Sequence, residues 1–385
     1  MATAESRVEH DGRNPAAIPV SIITGFLGSG KTTLLNRLLQ DPALANSLVI
    51  INEFGEIGID HLLVSTPIEN MRLLGNGCLC CVVRGDLVDT LADAARQRRD
   101  GSIPPFDRVL VETTGLADPV PIIQTVVTDQ EVAPSYRLDT VIGVVDAVNA
   151  QTQFDHQPES VKQIAVSDLL LLSKTDIASA DQVASVESRV RAINRSVEMI
   201  RVLHGEIDPR LLFGRGTVDG HAAAGQVERW LGNPQDDTEN ACAFDDHSHC
   251  DHGHHDHATA RHDDRVSTFC VTQDQPTNPG ALTIWLSMLA SFRSANLLRV
   301  KGLINVEGRA VVIHAVQSVL HEPVELAHWP SEDRRSRIVF IVRDMQREEL
   351  ERTMDVLLAP ETSSSRNELD PQAYAQFLQM ARTFI

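Results

Sequence analysis

The chain has 385 residues, 42% hydrophobic and 23% charged, room for two or three packed domains of ordinary soluble composition. Its formal net charge is −19, from 53 acidic against 34 basic residues, and only 4% of residues are aromatic. An acidic surface repels phosphate backbones and anionic lipid, and scarce aromatics leave no extended stacking platform, so nucleic acid and membrane surfaces are excluded as bulk partners. No run approaches the ~20 apolar residues of a membrane span. The N-terminal MATAESRVEHDGRNPAA lacks an apolar signal core, so a cytoplasmic protein is expected.

Residues 1–17 read as a disordered arm. From 18 to 232 short apolar runs (VSIIT, SLVIINE, RVLVET, DTVIGVVD, DLLLLSK) alternate with amphipathic stretches such as 32–39 and 85–98. Strands buried on both faces and alternating with helices predict an α/β fold with a mostly parallel, doubly wound sheet, whose ligands bind at the carboxyl ends of the strands. Residues 233–265 carry almost no apolar side chains and read as a flexible His/Asp-rich linker. Residues 266–385 then read as a smaller α+β domain. STFCVTQ, LLRVKGLINVEG, AVVIHAVQSVLHE and SRIVFIVRD are its strands. PGALTIWLSMLASF and DMQREELERTMDVLLA are its helices, with a further helix over DPQAYAQFLQMARTF. Asn278-Pro279 marks a helix start, and 306–309 a hairpin turn.

The first strand runs into Gly25-Phe26-Leu27-Gly28-Ser29-Gly30-Lys31-Thr32, the G-x-x-x-x-G-K-[ST] pattern in its required strand–loop–helix setting. Gly25, Gly28 and Gly30 let the backbone amides, with Ser29, curl around phosphates at a helix N-terminus. Lys31 would reach the β and γ phosphates, the Thr32 hydroxyl would bind Mg²⁺, and Thr33 completes the binding set. The chain has only four lysines, so chance placement of Lys31 here is a poor explanation. VLVETTG adds a strand ending in Glu112, near Mg²⁺ or its waters, with the Gly115 amide available to a γ-phosphate. Lys31 and Glu112 are the expected catalytic pair. Ser173-Lys174-Thr175-Asp176 follows another strand as a variant base reader. The Asp176 carboxylate can accept from N1–H and the 2-amino group of guanine, Lys174 covers the base, and Ser173 stands where Asn is usual.

Cys78, Cys80 and Cys81 form a glycine-flanked C-x-C-C cluster. Three thiols so close can share one soft ion, with a fourth ligand from elsewhere. A redox pair and buried structural thiols are the alternatives. NEFGEIGID carries Glu53, Glu56 and Asp60 where a nucleotide-sensing switch would sit. Glu56 is the candidate fourth ligand, and Glu53 or Asp60 a candidate for Mg²⁺ or water. In the linker His247, His249, His252, His254, His255 and His257, with Cys250 and His262, are interleaved with Asp. Neutral imidazoles on a loose chain bind Zn²⁺, Ni²⁺, Cu²⁺ or Co²⁺ with little geometric demand, so the segment reads as a low-specificity metal store. His314, His321 and His328 stand singly and read as core or surface residues.

Taken in order, GFLGSGKTT, NEFGEIGID, GCLCC, ETTGLADP and SKTD resemble the CobW-type P-loop GTPases, relatives of the nickel-chaperone GTPases of hydrogenase and urease maturation. HGEIDPRLLF and GLADPVPIIQT are similar to the YjiA-like branch. The resemblance spans nearly the whole chain, including a CobW C-terminal domain. It implies a GTP-hydrolysing metallochaperone that holds zinc, or cobalt or nickel, at Cys78, Cys80 and Cys81 and delivers it to a client metalloprotein. Glu112 would stand in for the usual aspartate, and Ile51 occupies the position of a further family glutamate ligand. Expected partners are GTP or GDP, Mg²⁺, a transition metal, the client and, as an option, a second copy of the chain. The alternatives are passive zinc or cobalt storage, or a cobalt-insertion accessory factor.

Overall fold

A computed structural model describes residues 17–52, 63–64, 71–74, 79–82, 87–216, 218, 222–232, 266–291 and 296–359. The arm read over 1–17 (apart from Ala17, which is buried), the histidine-rich linker and the last predicted helix lie outside the described residues.

In chain order the first unit comprises β1 (Ile18–Thr24), α1 (Lys31–Leu38), β2 (Ser47–Asn52), β3 (Leu63–Val64), β4 (Met71–Leu74), β5 (Leu79–Val82), α2 (Leu87–Asp100), β6 (Arg108–Thr113) and α3 (Val120–Thr128). It continues through β7 (Tyr136–Asp146), α4 (Ala150–His156), α5 (Pro158–Val166), β8 (Leu169–Ser173), α6 (Ala180–Ile193), β9 (Glu198–Arg201) and α7 (Ala224–Leu231). The strands make one sheet in the order β3-β4-β5-β2-β6-β1-β7-β8-β9. From β5 to β9 every pairing is parallel, and β3-β4-β5 add an antiparallel edge. This is the doubly wound α/β fold that the alternating runs predict. β1, β6 and β7 are buried on both faces because both are covered by helices.

The order places β1 at the centre. The chain leaves it toward β2 on one side and crosses to β7 on the other, so the strand order reverses there. Such a reversal opens a crevice at the carboxyl ends of the strands. One apolar cluster (Ile22, Leu91, Val111, Ile123) packs α2 and α3 on one face, and a second (Ile23, Leu35, Leu110, Val144) packs α1 on the other.

The second unit contains β10 (Val266–Gln273), α8 (Pro279–Ser291), β11 (Leu297–Val306), β12 (Arg309–Val316), β13 (Val319–Leu320), β14 (Val324–Glu325), β15 (Ser336–Arg343) and α9 (Arg347–Met354). Its sheet has the order β10-β15-β11-β12-β13, with β14 on β12, and all its pairings are antiparallel. Asn278 Oδ1 accepts from Ala281 N at the start of α8. Glu307 (φ 53) and Gly308 (φ 91) turn β11 into β12, the two left-handed residues that a tight two-residue hairpin requires.

The two units share a largely buried seam. α7, in sequence part of the first unit, lays Val227, Trp230 and Leu231 on Leu303, Ala310 and Val312 of the second sheet. Arg299 on β11, 1% exposed, pairs with Asp168, which leads into β8 and is equally buried. Lys301 donates to the Trp230 carbonyl at 3.0 Å, and Arg299 Nη2 lies 3.2 Å from His314 Nε2. His314 stacks on His321 with ring centroids 4.5 Å apart. His314 is thus a core residue of the seam, and Arg299, which can only donate, fixes its Nε2 as acceptor.

Candidate nucleotide and metal site

β1 ends at Thr24, and the chain curls through Gly25 (φ 145), Gly28 (φ 72) and Gly30 (φ 100) into α1. A Cβ on Gly25 would lie 2.3 Å from the Val144 carbonyl oxygen, so only glycine fits. Lys31 is 6% exposed, and its ammonium donates to the carbonyls of Gly25 (2.8 Å) and Phe26 (3.1 Å). A positive charge is therefore held within the loop's own curl, beside a helix N-terminus. Ser29 is buried, and among the described residues its Oγ has no hydrogen-bond partner, so this hydroxyl can serve a phosphate oxygen. Thr33 follows on the exposed side of α1.

Glu112 ends the neighbouring strand, in register with Ile23 of β1. It is 1% exposed, and its Oε1 accepts from Thr32 Oγ1 at 2.9 Å. A hydroxyl and a carboxylate this close, at the first turn of a helix, are the hard oxygen donors that Mg²⁺ selects, so the residues present fit that ion. After Glu112, Gly115 lies against the phosphate loop. A Cβ there would come within 2.6–2.7 Å of Leu27.

At the far end of the crevice β8 delivers Ser173, whose Oγ donates to the Ser29 carbonyl at 2.6 Å and ties residues 173–176 to the glycine loop. Lys174 adopts φ 59, and its Nζ donates to Asp146 Oδ2 at 2.7 Å. Burial alone would raise the Asp146 carboxyl; hydrogen bonds from Lys174, Asn149 and Val148 N outweigh it and hold the group below the ordinary aspartate value. The ammonium is thereby fixed by a buried charge. Asp176, one-third exposed, faces His204 across 3.9 Å, and Ile177 and Leu203 beside them in sequence are exposed.

Of the metal-ligand candidates, Cys80 and Cys81 lie on β5. Their backbones pair with Val49 and Ile50 of β2, which pair in turn with Leu110 and Val111 of β6. Cys81 is therefore two strands across from Val111, about 10 Å at the usual strand spacing and one residue short of the Glu112 level. Cys78, Glu53, Glu56, Asp60 and the linker histidines lie outside the described residues, and no group of three ligating side chains occurs among the described ones. Ile51 is 1% exposed and packed in the core, so that position offers a metal no oxygen.

Three site residues escape sequence reasoning. Asp146 ends the DTVIGVVD run, and its place at a strand tip was the available signal. Lys162 and Gln163 sit inside a helix with no motif around them. Lys162 Nζ donates to Asp118 at 2.5 Å, and Gln163 Nε2 donates to the carbonyls of Gly115 (3.2 Å) and Ala117 (3.0 Å). Three of the four lysines thus serve this crevice.

Strand order, glycine loop and the Thr32–Glu112 pair define a P-loop GTPase fold joined to an antiparallel C-terminal domain. The chain belongs to the CobW family: residues 19–201 match the CobW/HypB/UreG nucleotide-binding domain and residues 266–358 the cobalamin synthesis protein cobW C-terminal domain. It is 32% identical to the zinc chaperone YjiA of Escherichia coli over 339 residues, 88% of this chain and 97% of that one. It is 32% identical to the zinc-regulated GTPase metalloprotein activator 1 of Schizosaccharomyces pombe over 208 residues, 52% of this chain and 49% of the relative. The crystal structure of the Zn(II)-bound YjiA GTPase superimposes with a TM-score of 0.69 at 29% identity, over 89% of this chain and 99% of that one. No helix among the described residues is long and apolar enough to cross a membrane.

Proposed function

We propose that this chain is a GTP-hydrolysing metallochaperone that binds a transition metal, zinc first, at Cys78, Cys80 and Cys81 and passes it to a client protein according to its nucleotide state. The observation that carries the reading is the sheet register, which sets the cysteine strand two strands from the Glu112 strand, so thiols and γ-phosphate border the same edge of the sheet. The names and zinc-bound state of the relatives support the choice of metal.

GTP lies along the crevice with its guanine at Asp176 and Lys174 and its phosphates in the 25–32 loop. The loop amides and the Lys31 ammonium neutralise charge on the β and γ phosphates, which is where charge gathers in the transition state. Thr32 and Glu112 hold Mg²⁺, which when bound draws electron density from the phosphate oxygens. Gly115, seated against Leu27, offers its amide to the γ-phosphate. Among the described residues no arginine is placed at the phosphate loop, so turnover is slow without a partner, as in small GTPases. Loss of the γ-phosphate frees the loop after β6, and the thiols on and just before β5 follow. A coupling of ~1–3 kcal/mol between nucleotide and metal is sufficient to regulate release. The linker histidines feed metal to the tighter thiol site.

Cys80→Ser tests the thiol assignment. Tight stoichiometric Zn(II) binding is expected to vanish while GTP binding stays; unchanged zinc affinity in a competition titration would place the metal elsewhere.

A further inference from the structure

The loop at 114–119 carries the γ-phosphate amide, yet its own hydrogen bonds are few: Ala117 N to the Thr114 carbonyl, and Val120 N to Asp118. Its remaining anchorage comes from α5. Gln163, 2% exposed, spends both amide hydrogens on the carbonyls of Gly115 and Ala117, which flank Leu116, itself 53% exposed. One residue earlier Lys162 holds Asp118. Two adjacent side chains of one helix thus grip three residues of the loop, Gly115, Ala117 and Asp118.

The C-terminal end of α5 is held from the second unit. A helix leaves its last four carbonyls without internal partners, and a cation is favoured there. The Ser167 hydroxyl bonds back to the Gln163 carbonyl (2.6 Å), and Asn194 Nδ2 reaches the carbonyls of Ile164, Ala165 and Ser167. The rest of the cap is Arg299 of β11, donating to Val166 O (2.8 Å) and Ser167 O (2.6 Å) while pairing with Asp168. Only two residues separate Gln163 from Val166, so the helix spans phosphate loop and C-terminal sheet within a single turn.

Resting on the function proposed above, we propose that Gln163 is a positioning residue that aims the Gly115 amide at the γ-phosphate, and that Arg299, capping the same helix, gives the C-terminal domain a hold on that loop. A nine-residue helix moves as a body. A loop shifted by a γ-phosphate must therefore either break the Gln163 bonds or pull on the Arg299 cap. A client docked on the C-terminal domain meets the same helix from the other side.

The test uses the full chain with Gln163→Leu, which keeps the bulk and removes both donors, Lys162→Met as a second variant at a side chain 19% exposed, and Arg299→Lys, which keeps the charge and loses the planar fork. Hydrogen exchange is followed without nucleotide, and GTPγS and GDP affinities are measured in parallel. In Gln163→Leu, exchange of the 114–119 amides is expected to rise roughly tenfold. GTPγS affinity should fall about tenfold with GDP affinity within about twofold, one lost hydrogen-bonded pair being worth that much. Lys162→Met should show the same pattern more weakly, and Arg299→Lys should raise exchange in 114–119 as well as at the seam. Unchanged exchange in 114–119 for Gln163→Leu, or an equal fall in both affinities, overturns the positioning role. Faster exchange at the seam alone in Arg299→Lys overturns the link to the C-terminal domain. A wild-type chain binding no guanine nucleotide would remove the proposed function, while the exchange result still decides the clamp.

Discussion

At the scale of single residues the site is built from close approaches that tolerate no extra atom. Gly115 shows this: its α-carbon is so near Leu27 that an added methyl must push the loop off the phosphate cradle. Gly115→Ala is expected to cost GTPγS roughly tenfold or more in affinity and leave GDP within about twofold, because only the γ-phosphate needs that amide; fluorescence titration with both nucleotides checks it. Glu112→Gln removes a charge from the Thr32–Glu112 pair. Hydrolysis should fall about 10²-fold at saturating Mg²⁺, the usual cost of one group that stabilises a transition state, with GDP binding in EDTA unchanged. Single-turnover kinetics at several Mg²⁺ concentrations reads this out. That the 25–32 loop, Glu112 and residues 173–176 stand at strand tips was legible because each belongs to a short motif after an apolar run. Gln163 was not. Its function depends on which loop α5 happens to lie beside, and no local spacing encodes that.

At the scale of elements, the strands declared themselves by continuous apolar runs, and the parallel order followed from their alternation with helices. What the pattern could not tell was strand order, which arises from crossovers between distant segments. That order is what brings β5, with Cys80 and Cys81, within two strands of Glu112. The antiparallel edge β3-β4-β5 was hidden for a different reason: its strands are two to four residues long, too short for any period to register. α7 is a third case. Sequence position assigns it to the first unit, but its apolar face, with Trp230, is buried against the second sheet. Deleting residues 245–263 should lower the number of metal ions bound per chain while leaving GTP turnover within about twofold, since none of the sequence motifs proposed to hold GTP falls in that segment. Metal analysis together with a phosphate-release assay decides it, and a large loss of turnover would assign that segment a catalytic part.

For the whole molecule, the seam between units is the feature with a pH signature. His314 is buried, and burial, then His321, Arg299 and Lys301, hold its pKa well below the ordinary histidine value; Asp168 is the opposing charge nearby. Above about pH 6.5 His314 is neutral folded or unfolded and adds no slope; burial, then Arg299, also hold Lys301 well below the ordinary lysine value, so it lowers stability as pH falls from a higher starting point. Below about pH 6.5 the unfolded chain takes up at His314 a proton that the folded chain refuses, so stability falls further, by at most ~1.4 kcal/mol per pH unit from this group. Asp146, held below the usual aspartate value, stays charged throughout this window and adds nothing to the slope. Urea midpoints between pH 7.5 and 5 should fall for the wild type and fall less steeply below about pH 6.5 for His314→Gln; parallel profiles would remove His314 as a cause. Beyond the seam, the proposed function requires that nucleotide and metal binding be coupled. The direct measurement is Zn(II) affinity, by competition with a chromophoric chelator, in the presence of GTPγS and of GDP. A difference of about fivefold or more between the two nucleotide states is predicted; identical zinc affinities would contradict the account.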